Sequence, residues 1–174
     1  MLHNKADILQ TDHLCLHALS DRDGDAAIDL FMDREIAKTY MVPDFQSREE
    51  AAKLFETIKR LSVSQERFVY GIYLQDQLIG LINDVGIEEN SIELGYVICP
   101  AQKGKGYATE ALGAAIRELF RLGFSAVKAG AFLDNRASIR VMEKCGMTPT
   151  GEYEQIPYRG KVHACINYEI RKPE

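Results

Sequence analysis

The sequence has no excess of positive charge. Its 21 Lys and Arg are outnumbered by 26 Asp and Glu, for a net charge of −5. The basic footprint that non-specific nucleic-acid binding needs is missing, so no nucleic-acid partner is expected. No apolar run approaches the roughly 18 residues that cross a bilayer, so no membrane partner is expected either. The opening Met1-Leu2-His3-Asn4-Lys5-Ala6-Asp7 has neither the apolar stretch nor the cleavage signature of a secretory leader. Cysteines are few and scattered. Cys15, Cys99, Cys145 and Cys165 form no Cys-x-x-Cys pair and no zinc spacing. No metal is expected, and the four read as ordinary thiols of a reduced, cytoplasmic protein. Internal repeats, low-complexity tracts and linkers are also lacking.

What is present is the composition of one globular domain, taken as 1–174. Hydrophobic residues make up 46% and charged residues 27%, which excludes wholesale disorder. The mild acidity suits cationic substrates such as amines. Residues 8–19, with Leu14, Leu16 and Leu19, read as a first strand. Ser20-Asp21-Arg22-Asp23 reads as a cap opening a helix that runs to about Met32. Ser47-Arg48-Glu49-Glu50 is a capping box, and Ala51, Leu54, Phe55, Ile58 and Leu61 follow at helical spacing. Residues 68–74, 78–85 and 91–98 predict an antiparallel meander joined by short polar connectors. Leu112, Ala115, Ile116, Leu119 and Phe120 predict a helix that Gly123 ends. A buried strand at 125–132, a helix capped by Asp134 or Asn135 and a closing hairpin about Arg159-Gly160 complete the chain. This order is a mixed α/β, α+β-like domain without the strict alternation of a doubly wound fold.

Between the third meander strand and the next helix lies Lys103-Gly104-Lys105-Gly106-Tyr107-Ala108-Thr109. Glycines allow a phosphate close to the backbone, and the first-turn N–H groups of a helix have no intrahelical partners. Such a loop is an anion site or simply a glycine-rich turn. Two phosphate-binding patterns fail here. A dinucleotide fingerprint needs a third glycine where Thr109 stands, and no Gly-x-x-x-x-Gly-Lys-Ser/Thr run exists.

The loop resembles the acetyl-CoA motif Gln/Arg-x-x-Gly-x-Gly/Ala of the GNAT superfamily of N-acetyltransferases, with Lys103 in the Gln/Arg position. Asn135-Arg136-Ala137-Ser138, followed by Glu143-Lys144-Cys145-Gly146-Met147, resembles the family's Asn-x-x-Ser…Glu-Lys-x-Gly-Phe segment. Ile92-Glu93-Leu94-Gly95-Tyr96-Val97-Ile98 resembles the strand before the loop. The three occur in family order, the clear resemblance covers 68 to about 151 with a weaker one over the rest, and the flavour is closest to the ribosomal-protein-alanine N-acetyltransferases. His13-Leu14-Cys15-Leu16-His17 departs from that group's Arg-Leu-x-Leu-Arg. The resemblance implies a twisted, mostly antiparallel sheet of about six to seven strands with about four helices, splayed at the cofactor site.

It also implies direct transfer of acetyl from acetyl-CoA, the expected cosubstrate, to a primary amine in a ternary complex. The acceptor stays open between a protein N-terminus and a small-molecule amine, and a homodimer stays open too. The acyl group itself is acetyl or a longer one. Glu93 is the candidate base, or else a hydrogen-bonding partner for neighbouring backbone or a basic side chain. Many relatives place an acidic Tyr where this chain has Met142, so Ser138 becomes the candidate acid, or else an ordinary first-turn serine. Cofactor contacts are assigned to Ile98 through its N–H, to Lys103, Gly104, Lys105, Gly106, Tyr107, Ala108 and Thr109, and to Asn135. Tyr153 and Tyr158 are candidates for the acceptor cleft or, just as readily, for packing at a sheet end. His13 and His17 share a strand face as a metal pair or, more simply, as a packed or solvated surface. The missing Tyr at Met142 leaves an acyl-CoA-binding sensor as the alternative function.

Overall fold

A single open sheet of eight strands organises the computed structural model of the chain, which describes residues 2–174; Met1, where the leader-free reading begins, lies outside them. The elements are β1 (Ile8–Gln10), β2 (Leu14–His17), α1 (Gly24–Met32), α2 (Arg48–Ser62), β3 (Val69–Leu74), β4 (Gln77–Ile87), β5 (Ser91–Ile98), α3 (Tyr107–Arg121), β6 (Ala126–Phe132), α4 (Arg136–Lys144), β7 (Thr148–Tyr158) and β8 (Lys161–Arg171). Across the sheet the order is β1-β2-β3-β4-β5-β6-β8-β7. Among the described residues only the β5–β6 pair is parallel. The expected mixed α/β, mostly antiparallel architecture with four α-helices is the one observed.

The strand count exceeds the expected six to seven because the first strand is a hairpin. Thr11 turns the chain: its N–H donates to the Leu14 carbonyl at 2.9 Å, and its hydroxyl accepts from the Leu14 N–H at 2.9 Å. The start of α1 also differs. Ser20 opens a short 3-10 turn, in which its N–H donates to Asp23 Oδ2 at 2.7 Å, and α1 proper begins at Gly24. At α2 the Ser47 hydroxyl accepts from the Glu50 N–H at 3.2 Å, as expected. Glu50 reaches back to the Gln46 N–H at 2.8 Å rather than to the cap itself.

Both faces of the sheet are covered, so β3 is buried on both sides. On one face α3 and α4 set Ala111, Leu112, Ala115, Leu119 and Met142 against Ile92, Leu94, Ile98, Val127 and Ala129. On the other, α1 and α2 set Ala27, Phe31, Ala51 and Phe55 against Leu81 and Val97. Alternation along β5 therefore assigns Ile92, Leu94, Tyr96 and Ile98 to the α3/α4 face, and Glu93, Gly95 and Val97 to the other.

One irregularity positions the site. The β5–β6 pairing runs from Ser91↔Ala126 to Leu94↔Ala129 and stops. Beyond it β5 stays with β4 as far as Gly80↔Ile98, while β6 stays with β8 as far as Phe132↔Cys165. The two middle strands part, which is the splay expected at the cofactor site.

The β1–β2 turn is pinned to the start of α3 by Glu110. Its carboxylate accepts from the His13 N–H at 2.7 Å, pairs with His13 Nδ1 at 2.9 Å and accepts from the Thr11 hydroxyl. Burial raises the Glu110 pKa, but these bonds outweigh it and hold the carboxyl below its ordinary value. A carboxyl with a depressed folded-state pKa stabilises the fold above its unfolded pKa and loses that contribution as pH falls through the folded one. Glu110→Ala should therefore cost about 1–2 kcal/mol near neutral pH. In urea titrations, the gap to the unaltered chain should shrink as pH drops below the usual carboxylate range.

Candidate active site

The parted strands open a cleft of about 830 Å³ that passes from one face of the sheet to the other. Its α3/α4 end is built from backbone. Gly104 and Gly106 adopt left-handed φ values of 76° and 85°, and a Cβ on either would meet open space. The first N–H of this stretch to find a backbone acceptor is that of Glu110, which donates to the Gly106 carbonyl at 3.0 Å. Among the described residues, the six N–H groups of 104–109 have no protein acceptor. They form a cradle where the helix dipole adds positive charge. Lys103 from the loop and Arg136, Arg140 and Lys144 from α4 line the same end. This donor set fits the pyrophosphate of a coenzyme A-type ligand.

Ile98 adds a donor at the gap. Cys99 N donates to the Ile79 carbonyl at 2.7 Å, and Ile98 pairs opposite Gly80. Antiparallel alternation then turns the Ile98 N–H away from β4, into the space that β6 has vacated. Asn135 caps α4, its Oδ1 accepting from the Ser138 N–H at 3.2 Å. The Ser138 hydroxyl lies 2.8 Å from the Tyr96 hydroxyl, which is also 3.1 Å from the Ser138 carbonyl. Met142 is fully buried in the core and does not line the cleft.

The opposite end carries the negative charge. Glu93 is half-buried, and among the described residues its carboxylate has no hydrogen-bond partner. Burial pushes its pKa up, and the neighbouring Glu154 pushes it further; Lys128 pulls the other way. Glu154 accepts from Asn167 Nδ2 at 2.9 Å. Tyr40 donates to Asn83 Oδ1 at 3.0 Å, and burial raises its phenol to about 12, so it stays a donor. Space here depends on two glycines. A Cβ on Gly95 would come within 3.1 Å of Val85, and one on Gly130 within 2.9 Å of Asn167 Oδ1, 3.5 Å of Cys165 Sγ and 3.7 Å of Glu93 Oε1.

The cleft thus gathers Glu93, Ile98, Lys103, Gly104, Gly106, Tyr107, Ala108, Thr109, Asn135 and Ser138. Lys105 is the predicted residue it leaves out. That side chain turns to solvent and donates to Gln102 Oε1 at 2.9 Å. Of the two tyrosines that are candidates for the acceptor cleft or for packing at a sheet end, neither lines the cleft. Tyr153 is 61% exposed on the edge strand. Tyr158 lies beyond the cleft, donating to the Ala37 carbonyl at 2.8 Å and so tying the β7–β8 hairpin to the loop between α1 and α2. Glu154 and Ile156, between them on β7, line the cleft instead. His13 is engaged by Glu110, and His17 stacks on Tyr73 with ring centroids 3.8 Å apart. Residues missed in the sequence are Tyr96, Glu154, Asn83, Asn167 and Cys165. For Tyr96 a signal existed, since it stands within the recognised strand motif and alternation puts it on the helix face.

Comparison with known proteins agrees with this geometry. The model of the acetyltransferase (GNAT) domain matches residues 13–148. The chain belongs to the GNAT family of acetyltransferases. It is 31% identical over 172 residues to the uncharacterized N-acetyltransferase YoaA of Bacillus subtilis (strain 168), covering 95% of this chain and 97% of the relative. Among solved structures, a GNAT-family acetyltransferase from Bacillus anthracis matches with a TM-score of 0.82 at 23% identity, over 94% of this chain and 98% of that one. RimL, a ribosomal L7/L12 alpha-N-protein acetyltransferase solved in complex with coenzyme A, matches with a TM-score of 0.83 at 22% identity, over 94% and 97%. At these identities the two structures establish the fold. The family resemblance carried by the three sequence motifs is borne out.

Two substitutions test the geometry of the carboxylate end. Gly130→Ala places a methyl against Asn167 and Glu93, and should cut turnover at least tenfold while leaving coenzyme A affinity, measured by calorimetry, within twofold. Glu154→Gln removes one cause of the raised Glu93 pKa; if Glu93 is the base, the acidic limb of the pH–rate profile should move to lower pH. An unmoved limb would detach Glu154 from Glu93.

Proposed function

We propose that the chain transfers an acetyl group from acetyl-CoA to a primary amine by direct attack within a ternary complex. The observation that carries this reading is charge segregation along one cleft. The lining cations, Lys103, Arg136, Arg140 and Lys144, share the α3/α4 end with the six free N–H groups, whereas the lining carboxylates, Glu93 and Glu154, stand at the other. One end suits a polyanionic cosubstrate and the other an ammonium group, with the gap between β5 and β6 joining them.

Acetyl-CoA supplies an activated thioester carbonyl. Backbone N–H groups of 104–109 hold its pyrophosphate, and Asn135 and the Ile98 N–H fix the arm that enters the gap. The same Ile98 donor can polarise the thioester oxygen. Glu93 takes the proton of the incoming amine, directly or through one water. Its unpartnered carboxylate is free to do so, and its raised pKa brings it closer to neutrality. Ser138 faces the leaving sulfur. The absence of a Tyr at Met142, which favours a binding sensor without turnover, is answered by the Tyr96–Ser138 hydroxyl pair at the same end of the cleft. A protein N-terminus and a small-molecule amine both remain acceptors that two carboxylates would accommodate.

Excess acetyl-CoA should raise Tm, since a ligand of the native state stabilises it. Thioester consumption should then appear with at least one member of a panel of peptide N-termini, polyamines and aminoglycosides. Glu93→Gln should lower kcat about 100-fold and remove the acidic limb of the pH profile. Stabilisation by acetyl-CoA without turnover on any amine would favour the sensor instead.

A further inference from the structure

Among the described residues, Tyr96 is the one polar side chain of the sheet within hydrogen-bond distance of Ser138. It stands on β5 past Leu94, where β6 no longer pairs with that strand. Its hydroxyl lies 2.8 Å from Ser138 Oγ and 3.1 Å from the Ser138 carbonyl oxygen, and Asn135 accepts from the Ser138 N–H at 3.2 Å. Ser138 is therefore held at its amide by Asn135 and, at 2.8 Å, at its hydroxyl by Tyr96, which is more than capping a helix requires.

The phenol has one proton and two acceptors within reach. Given to the carbonyl, it leaves the Ser138 hydroxyl to donate back to Tyr96, with its proton turned away from the cleft. Given to Ser138 Oγ, it fills that oxygen's acceptor position and releases the serine proton toward the cleft. Resting on the acetyl-transfer reading above, we propose that Tyr96 is a positioning residue: its hydroxyl donates to Ser138 Oγ and thereby aims the serine O–H at the leaving sulfur. Hydrogen bonds in series also polarise one another, so Ser138 becomes a stronger donor than it would be alone.

Tyr96 does not serve as the proton source. Burial pushes its pKa well above the ordinary phenol value, with the bond to Ser138 only partly offsetting this, so the phenolate is disfavoured. Proton and electron accounting closes without it. The acceptor ammonium first gives one proton to Glu93, which passes it to solvent; the neutral amine then forms the new N–C bond, the C–S bond breaks with its electron pair on sulfur, and the second nitrogen proton leaves by the same route through Glu93. The thiolate, held meanwhile by the Ser138 O–H, is protonated from solvent.

The test uses Tyr96→Phe, Ser138→Ala and the double variant, with coenzyme A itself as a probe that needs no turnover. Titrating the ultraviolet absorbance of the bound thiolate reads its pKa on the protein. Loss of the donor chain should raise that pKa in Tyr96→Phe. The rise should be no larger in the double variant than in Ser138→Ala. In turnover, Tyr96→Phe should lose about 10-fold in kcat with KM for acetyl-CoA unchanged. Site-specific fluorotyrosine at position 96 keeps the shape and sharpens the donor, so the bound thiol pKa should fall even if the Phe variant folds poorly. Coenzyme A binding with an unmoved thiol pKa in both variants, or additive losses for the two single substitutions, would overturn the role of Tyr96 alone. Failure of the unaltered chain to bind coenzyme A would overturn the acetyl-transfer reading, and this inference with it.

Discussion

The parting of β5 from β6 after Leu94 and Ala129 is the constraint on which the rest of this structure depends. A continuous sheet would satisfy the backbone of 95–98 and 130–132 internally and leave no passage between its faces. Here each strand keeps its outer partner and gives up its inner one. Unpaired backbone polar groups are costly in a dry interior, so the gap must be polar, wet or filled by a ligand. The starts of α3 and α4 both border it, each offering donors that its own helix cannot use. On the proposed reading, a slot through the sheet with donors at one mouth and carboxylates at the other brings two molecules together from opposite sides.

The surroundings follow from keeping that slot open and fixed in shape. Gly95 and Gly130 keep the carboxylate end clear, because a Cβ at either would crowd Val85 or Asn167. Glu110 joins the β1–β2 turn to the first turn of α3 and so holds the cradle's helix at a set height. Tyr158 and Arg159 fasten the β7–β8 hairpin to the loop after α1, Arg159 pairing with Asp44 at 3.2 Å. None of these groups needs to touch a substrate. Each fixes the position of an element that does.

The cofactor end was legible in the sequence because its information is local. Gly104, Gly106, Asn135 and Ser138 sit in short motifs whose meaning is a loop conformation or a helix cap, and a cap can be read from four consecutive residues. The acceptor end was not, because it is assembled from distant strands. Glu154 reaches Glu93 only through the register of β7 on β8, and that register shifts between Pro149 and Tyr153, around a left-handed Gly151. A one-residue slip would exchange Tyr153 for Glu154 at the cleft, and no local pattern in 148–158 specifies which of the two faces it. The first hairpin was missed for a related reason. β1 has three residues, too few for alternation to show, and its turn is completed by Glu110, a hundred residues away along the chain.

The central claim is that the six N–H groups of 104–109 are free to hold a pyrophosphate, and backbone amide NMR addresses them one by one. Titrating coenzyme A into isotopically labelled protein should move the amide signals of these residues, together with Ile98, far more than those of β1, β3 or α2. Adding sodium chloride at matched ionic strength should not reproduce the pattern. Movement confined to surface lysines such as Lys105, with the amides of Gly104, Gly106 and Tyr107 unchanged at saturating ligand, would contradict it.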